Sequence, residues 1–330
     1  MSRPLVVVTD FVTEPLDVER AVLGDHAELV CATACDEEQL ANLVASAAAL
    51  MVYHEIRLTR RTIERLHCCK LIVRCGVGFD NVDITAARQR GIPVANVPDY
   101  GSEEVADSAI GMLLTLARGI HFLNSRLRTG PAAWTYTHAV PVFRLRGRVC
   151  GVVGLGRIGT ATALRAKSLG MDVAFYDPYK PDGYDKALGI RRVETVESLF
   201  RQSHVVSLHC PLTDETRHLV NATSLRWLPR GAFLINTARG ALIDTQAIPG
   251  AIASGQLAGA GIDVLDIEPP SENDALVAAW RDPNHAAHHR VILNPHAAFY
   301  SEEGLREMRI KGAQACLNAI AGRPIRNVVN

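Results

Sequence analysis

Arg239, Glu268 and His296 are the residues of this 330-residue sequence that could together move a proton onto a carbonyl oxygen. Each follows a short apolar run. AFLIN (232–236) leads into Thr237-Ala238-Arg239-Gly240, GAGIDV (259–264) into Asp266, Glu268 and Pro269, and RVILN (290–294) into Pro295-His296-Ala297-Ala298. In an open α/β sheet, ligands gather beyond the carboxyl ends of the strands, so residues at successive strand ends can line one cleft. Reducing a 2-oxo acid takes a cation for the carboxylate and keto oxygen, a proton donor for the developing alkoxide, and a source of hydride. Arg239 offers a planar fork of donors for the first task. His296 can give the proton as imidazolium and take it back in the oxidative direction. Glu268, paired with His296, would orient the ring and favour its charged form. Singly, these are a surface arginine, a loop or helix-start carboxylate and a satisfied loop histidine; only the joint placement points to chemistry.

A hydride source is written earlier in the chain. RVCGVVG (148–154) runs into Gly154-Leu155-Gly156-Arg157-Ile158-Gly159, and TATALRAKSLG continues with helical spacing. In this strand–turn–helix context Gly154 permits the tight turn, Gly156 lets the backbone approach a pyrophosphate, and Gly159 lets the helix pack closely, with amide donors at its N-terminus. The next strand ends at Asp177, placed to accept hydrogen bonds from an adenosine ribose. Its carboxylate would repel a 2′-phosphate, so the cofactor expected is NAD.

These motifs sit in an alternating α/β pattern. PLVVV (4–8), ALMVY (49–53), LIVRC (71–75) and IPVANV (92–97) read as one parallel sheet. RVCGVVG, DVAFYD (172–177), VVSLH (205–209), AFLIN, GAGIDV and RVILN read as a second. Between them ADSAIGMLLTLARG (106–119) reads as an amphipathic to buried connector helix. The stretch 120–147, with Pro131, Trp134 and Pro141, lacks clear periodicity, and a loop that long usually serves as an interaction element.

Composition narrows the partners. With 35 basic and 35 acidic residues the formal charge is zero, so no basic field draws nucleic acid or an anionic membrane surface. No apolar run approaches the roughly 20 residues of a membrane helix, and the expectation is a cytoplasmic protein acting on a small molecule. The eight cysteines form no C-x-x-C pair and read as reduced, mostly buried thiols. His285, His288 and His289 have metal-like spacing without an accompanying carboxylate or cysteine, and no metal is expected. Arg57, Arg60, Arg61 and Arg65 read as a solvated helix face.

The motifs GLGRIG, FYDPY, LHCPLTDETRHLV, NTARGALID, the D-V-x-x-x-E-P pattern at 263–269 and PHAAFYSEE resemble the D-isomer-specific 2-hydroxyacid dehydrogenases. Within that family MVYHEIRLTR, IVRCGVGFDNVDI, NVPDYGSEEVADS and YDPYKPDG are similar to segments of the C-terminal-binding-protein corepressors. The resemblance implies two Rossmann-like domains. One is a flavodoxin-like substrate domain formed by 1–100 and 296–330; the other is an inserted NAD-binding domain, 101–295, with a dimerisation segment at about 119–148. It implies that Arg239, Glu268 and His296 are catalytic, that Arg74, Val77 and Gly78 hold the substrate carboxylate, and that Tyr53 and Phe299 line the pocket. It sets Ser102, Arg157, Ile158, Asp177, His209, Cys210, Thr237, Ala238, Asp263 and His296 around NAD. Phe299 stands where the corepressors carry tryptophan, and Glu268 where formate dehydrogenases of the superfamily carry glutamine, which argues against formate. The expected function is an NAD-dependent D-2-hydroxyacid dehydrogenase or 2-oxoacid reductase acting as a homodimer. The alternative is an NAD(H)-sensing, corepressor-like binding protein whose turnover is incidental.

Overall fold

Each of the ten apolar runs forms a strand in a computed structural model that describes residues 3–40, 43–130 and 134–330, so Pro131 lies outside the described residues. The chain divides into two compact units, Met1–Gly101 with Tyr300–Asn330, and Ser102–Phe299.

The first unit is built on β1 (Leu5–Val8), β2 (Glu28–Cys31), β3 (Ala47–Val52), β4 (Leu71–Arg74) and β5 (Val94–Asn96), all parallel, in the order β2-β1-β3-β4-β5. The sequence pattern missed β2, an edge strand left half-buried and so lacking a continuous apolar run. β3 is buried along its whole length because helices cover both faces, the reason parallel strands read as unbroken apolar runs. The C-terminal helix Glu302–Ile320, capped by the Ser301 hydroxyl, packs on β3, β4 and the helix Asp17–Leu23. Gly312 permits that approach, since a Cβ there would lie 2.7 Å from Cys75 Sγ and 2.9 Å from Met51 Cε. Arg309 on this helix donates twice, at 2.7 Å, to the fully buried Glu19 carboxylate. After the helix the chain returns to the sheet edge, where Val329 N–H donates to Val94 O and Asn96 N–H to Asn327 O.

The second unit carries β6 (Val149–Val153), β7 (Asp172–Tyr176), β8 (Arg191–Arg192), β9 (Val205–Leu208), β10 (Ala232–Asn236), β11 (Leu257–Ile262) and β12 (Val291–Leu293), in the order β12-β11-β10-β9-β6-β7-β8. The two-arginine β8 has no apolar signature to read. The expected helix runs from Ser102 to Arg118 and ends at Gly119, whose φ of 63° is the left-handed conformation that stops helices. Two glycines of β11 let that helix lie close to the sheet: a Cβ on Gly261 would meet Met112 at 2.8 Å, and one on Gly259 would meet Leu116 at 3.1 Å.

The chain re-enters the first unit at Tyr300, four residues beyond the expected 296. The cause is local: His296 N–H donates to Asp263 O at 2.8 Å, and the Ala297 and Ala298 amides donate to the Asp263 carboxylate at 3.0 Å, which ties this backbone to the end of β11.

Candidate active site

Three strand-end loops of the second unit carry Arg239, Glu268 and His296. Beyond β10, Asn236 folds the first loop: its Nδ2 donates to Arg239 O at 2.8 Å and its Oδ1 accepts the Ala238 amide at 3.0 Å. Gly240 then presses on the second loop, where a Cβ would fall 1.9 Å from the Leu265 carbonyl carbon. No side chain fits, so the arginine and glutamate loops run in direct contact. The Glu268 carboxylate accepts the Leu265 amide at 2.8 Å and His296 Nδ1 at 2.7 Å. The side chains of His296 and Glu268 keep 26% and 34% of their surface, enough for proton exchange with solvent.

His296 adopts φ 53°, a conformation that costs a non-glycine residue of order 1–3 kcal/mol and persists only where neighbours enforce it. Asp263 supplies the enforcement through the three bonds to residues 296–298. Burial pushes the Asp263 carboxyl above its ordinary range, against the downward pull of the two amides. The Phe299 ring stands edge-on to His296, with centroids 6.2 Å apart. The Asp263 carboxylate, expected beside the cofactor, also holds the histidine loop.

Two strands along the same sheet from β10, the glycine loop follows β6. A Cβ on Gly159 would lie 2.0 Å from Gly154 O, and one on Gly154 would lie 2.6 Å from the Cys210 amide nitrogen. Gly156 is exposed with open space at its Cβ position, and as N-cap it supplies no side chain, so the first amides of the helix Arg157–Ser168 are left for a ligand. Asp177 accepts the Leu155 amide at 2.8 Å and the Tyr179 amide at 3.0 Å; its carboxylate braces the loop and retains lone pairs for ribose hydroxyls. In the same unit Ser102 Oγ, Thr237 Oγ1 and His209 Nδ1 are buried without a hydrogen-bond partner among the described residues, which is what groups awaiting a polar ligand look like. His209 donates or accepts at Ser207 Oγ (2.8 Å), and enclosure of its ring lowers its pKa to about 4. Burial raises the Cys210 thiol to about 11, which keeps it neutral behind Gly154. Arg157 is exposed, Ile158 and Ala238 are half-buried. These residues fit a dinucleotide: a glycine cradle, uncapped amides, a carboxylate and unpaired buried donors.

The first unit holds the other expected residues at its own strand ends. Arg74, 7% exposed, ends β4; its Nη1 donates to Cys75 O at 3.1 Å and its Nε to Asn81 Oδ1 at 3.4 Å. Its guanidinium lies over Gly76, where a Cβ would fall 1.5 Å from Nη1. Asn81 Nδ2 donates to Tyr53 O and Ile56 O, and Asn96 Nδ2 to Val77 O, so amide side chains hold both loops beside Arg74. Val77 and Gly78 are half-buried. Tyr53 is fully buried, and burial with the neighbouring Cys75 thiol and Glu19 carboxylate drives its hydroxyl well above the ordinary tyrosine range. Sequence reasoning missed Asp10, Asn81, Asn96 and Asn236; a polar residue closing an apolar run, as in AFLIN, was the available signal for the last.

A seven-stranded parallel sheet with a glycine loop at its switch point and an acid–base pair at neighbouring strand ends defines a dinucleotide-dependent α/β protein. The chain belongs to the D-isomer-specific 2-hydroxyacid dehydrogenase family, whose NAD-binding domain matches residues 110–298. It is 35% identical to C-terminal-binding protein 1 of Caenorhabditis elegans over 98% of this chain and 44% of that protein. It is 33% identical to D-3-phosphoglycerate dehydrogenase of Methanocaldococcus jannaschii over 98% of this chain and 60% of that protein. The chain thus spans 44% and 60% of the length of these relatives. Among solved structures it is similar to D-lactate dehydrogenase of Aquifex aeolicus complexed with NAD and lactic acid, with a TM-score of 0.86 and 27% identity over 96% of each chain.

Proposed function

We propose that the protein is an NAD-dependent D-2-hydroxyacid dehydrogenase, run in reverse as a 2-oxoacid reductase, with His296 as the proton donor and acceptor. The observation that carries this reading is the 2.7 Å bond between His296 Nδ1 and the Glu268 carboxylate, on a loop packed against the one that bears Arg239. With Nδ1 given to Glu268, Nε2 is the nitrogen that hands the proton to the alkoxide oxygen and withdraws it in the oxidative direction. Glu268 stabilises the imidazolium and holds the ring plane. Arg239 binds the substrate carboxylate and polarises the keto oxygen. On the first unit Arg74, with the backbone at Val77 and Gly78, is assigned to holding a substrate carboxylate and Tyr53 to lining its pocket; on the second, Phe299 is assigned to the substrate side chain. NADH, when bound, supplies the hydride. Gly154, Gly156 and Gly159 seat its pyrophosphate on the helix that begins at Arg157, with Ile158 beside it; Asp177 takes the ribose, and Ser102, His209, Cys210, Thr237, Ala238 and Asp263 enclose the remainder.

A homodimer through about 119–148 is part of the same reading. Ile120, Trp134, Tyr136, Val140 and Phe143 are large apolar side chains left exposed on this stretch, Trp134 at 82%, and so many exposed apolar side chains on one segment favour an interface there. A cytoplasmic setting agrees with eight cysteines that are all free thiols.

Following NADH absorbance with a panel of 2-oxo acids tests the function. Oxidation of NADH with formation of the D-hydroxy acid is expected. Turnover too slow for metabolism on every acid would favour the NAD(H)-sensing reading instead. Light scattering of the purified protein tests the dimer, and Trp134→Glu is expected to shift it toward the monomer.

A further inference from the structure

Parallel sheets of order 2-1-3-4-5 take their ligands beyond the carboxyl ends of the strands at the point where the order reverses, between the first and third strands in sequence. In the first unit that point lies between β1 and β3. Phe11 follows β1; Tyr53 and His54 follow β3. The Phe11 ring lies 5.6 Å from the Tyr53 ring and 4.6 Å from that of His54, so it bridges the two strand ends. Its φ is 65°, the left-handed region that a bulky residue rarely occupies without enforcement. Tyr53 is wholly buried, while Phe11 and His54 stay half-buried. The adjacent Asp10 fixes the partner loop: its carboxylate accepts the amides of Tyr53 at 2.9 Å, Glu55 at 2.8 Å and Ile56 at 3.3 Å. Asn81 then ties that loop to Arg74.

We propose that Phe11, backed by His54, is the specificity-determining subsite for the side chain of the 2-oxo acid, and that it selects an apolar, aromatic-sized side chain over a bare methyl or a phosphorylated one. This rests on the reading that Arg74 holds the substrate carboxylate. Asn81 joins that anchor to the backbone of the loop that carries Tyr53 and His54, so anchor and aromatic cluster stand at the ends of the neighbouring strands β4 and β3. Such a surface rewards desolvated apolar contact, which a methyl group exploits little and a phosphate not at all. It also shifts the pocket role from the fully buried Tyr53 to its half-buried neighbour Phe11.

The test compares kcat/KM for phenylpyruvate, pyruvate and phosphohydroxypyruvate, each with NADH, in the full chain and in Phe11→Gly and Phe11→Leu. Glycine is at ease at this φ, so Phe11→Gly removes the ring without backbone strain. Wild-type protein is expected to favour phenylpyruvate over both other acids by at least about tenfold. Phe11→Gly is expected to cut the phenylpyruvate-to-pyruvate ratio by roughly tenfold, mainly through KM, and Phe11→Leu, which keeps apolar surface, by less. A ratio unmoved in Phe11→Gly, or a wild-type preference for pyruvate or phosphohydroxypyruvate, overturns this subsite and leaves the dehydrogenase reading standing. Absence of turnover on all three acids by the wild type overturns this subsite, and absence across the whole panel of 2-oxo acids overturns the dehydrogenase reading as well.

Discussion

The two units hold their strand-end loops by the same device and put different things on them. In the second unit the buried Asp263, at the end of β11, accepts amides from the loop that follows its neighbour β12 and pins His296 at φ 53°. In the first, the buried Asp10, at the end of β1, accepts three amides from the loop that follows its neighbour β3, beside Phe11 at φ 65°. A carboxylate that accepts several backbone N–H groups stiffens a loop without needing a side chain on it, which leaves the loop's own side chains for function. In the second unit the held side chain is an imidazole paired with Glu268; in the first the held surface is aromatic rings beside a buried tyrosine. One clamp positions chemistry and the other positions shape. Their mutants should therefore fail differently.

The largest effect is expected at the chemical end. His296→Gln should lower kcat by about 10²- to 10⁴-fold with NADH affinity retained, read by steady-state kinetics and fluorescence titration of NADH. Unchanged kcat would remove the proton transfer from this loop. In the first unit Arg309→Met leaves Glu19 buried and unpaired, and about 3 kcal/mol or more of stability should be lost, measured by denaturant unfolding. Replacing both partners, as Glu19→Met with Arg309→Leu, should recover part of that loss. The sharpest probe of the comparison is the pair of clamps. Asp263→Ala and Asp10→Ala each strand buried amides, at about 1–3 kcal/mol. Asp263→Ala should act mainly on kcat, by roughly tenfold or more, and Asp10→Ala mainly on KM and on the ratio between acids. Equal kcat losses for all acids in both variants would show that the clamps do the same job.

The smallest effect is a pH slope confined to the second unit. His209 has its folded pKa lowered to about 4 by burial, from an ordinary 6.5. The unfolded chain binds its proton more readily, so this contribution is whole above about pH 6.5 and is lost as the pH falls toward 4. About 1 kcal/mol should disappear between pH 7 and pH 5.5, and His209→Gln should flatten that part of the profile in thermal melts.

Much of the protein was legible before its structure. Ten strands announced themselves as apolar runs because parallel strands are covered on both faces, while the half-exposed β2 and the two-arginine β8 offered no such signal. GLGRIG declared its own turn, since its glycines answer local demands: a positive φ at Gly154 and close approaches at Gly154 and Gly159. Arg239, Glu268 and His296 could be chosen by type and by their place after strands. What only the tertiary structure decided are contacts between residues far apart in sequence. No periodicity could reveal that Asp263 grips residues 297 and 298, or that Asp10 grips a loop 43 to 46 residues later. Nothing in the sequence marks Gly240, which the Leu265 carbonyl presses against, or Phe11, whose φ and two ring neighbours belong to the folded chain. Local rules select residue types one element at a time; which carboxylate meets which amide depends on strand order, and strand order is set by how the whole sheet buries its faces.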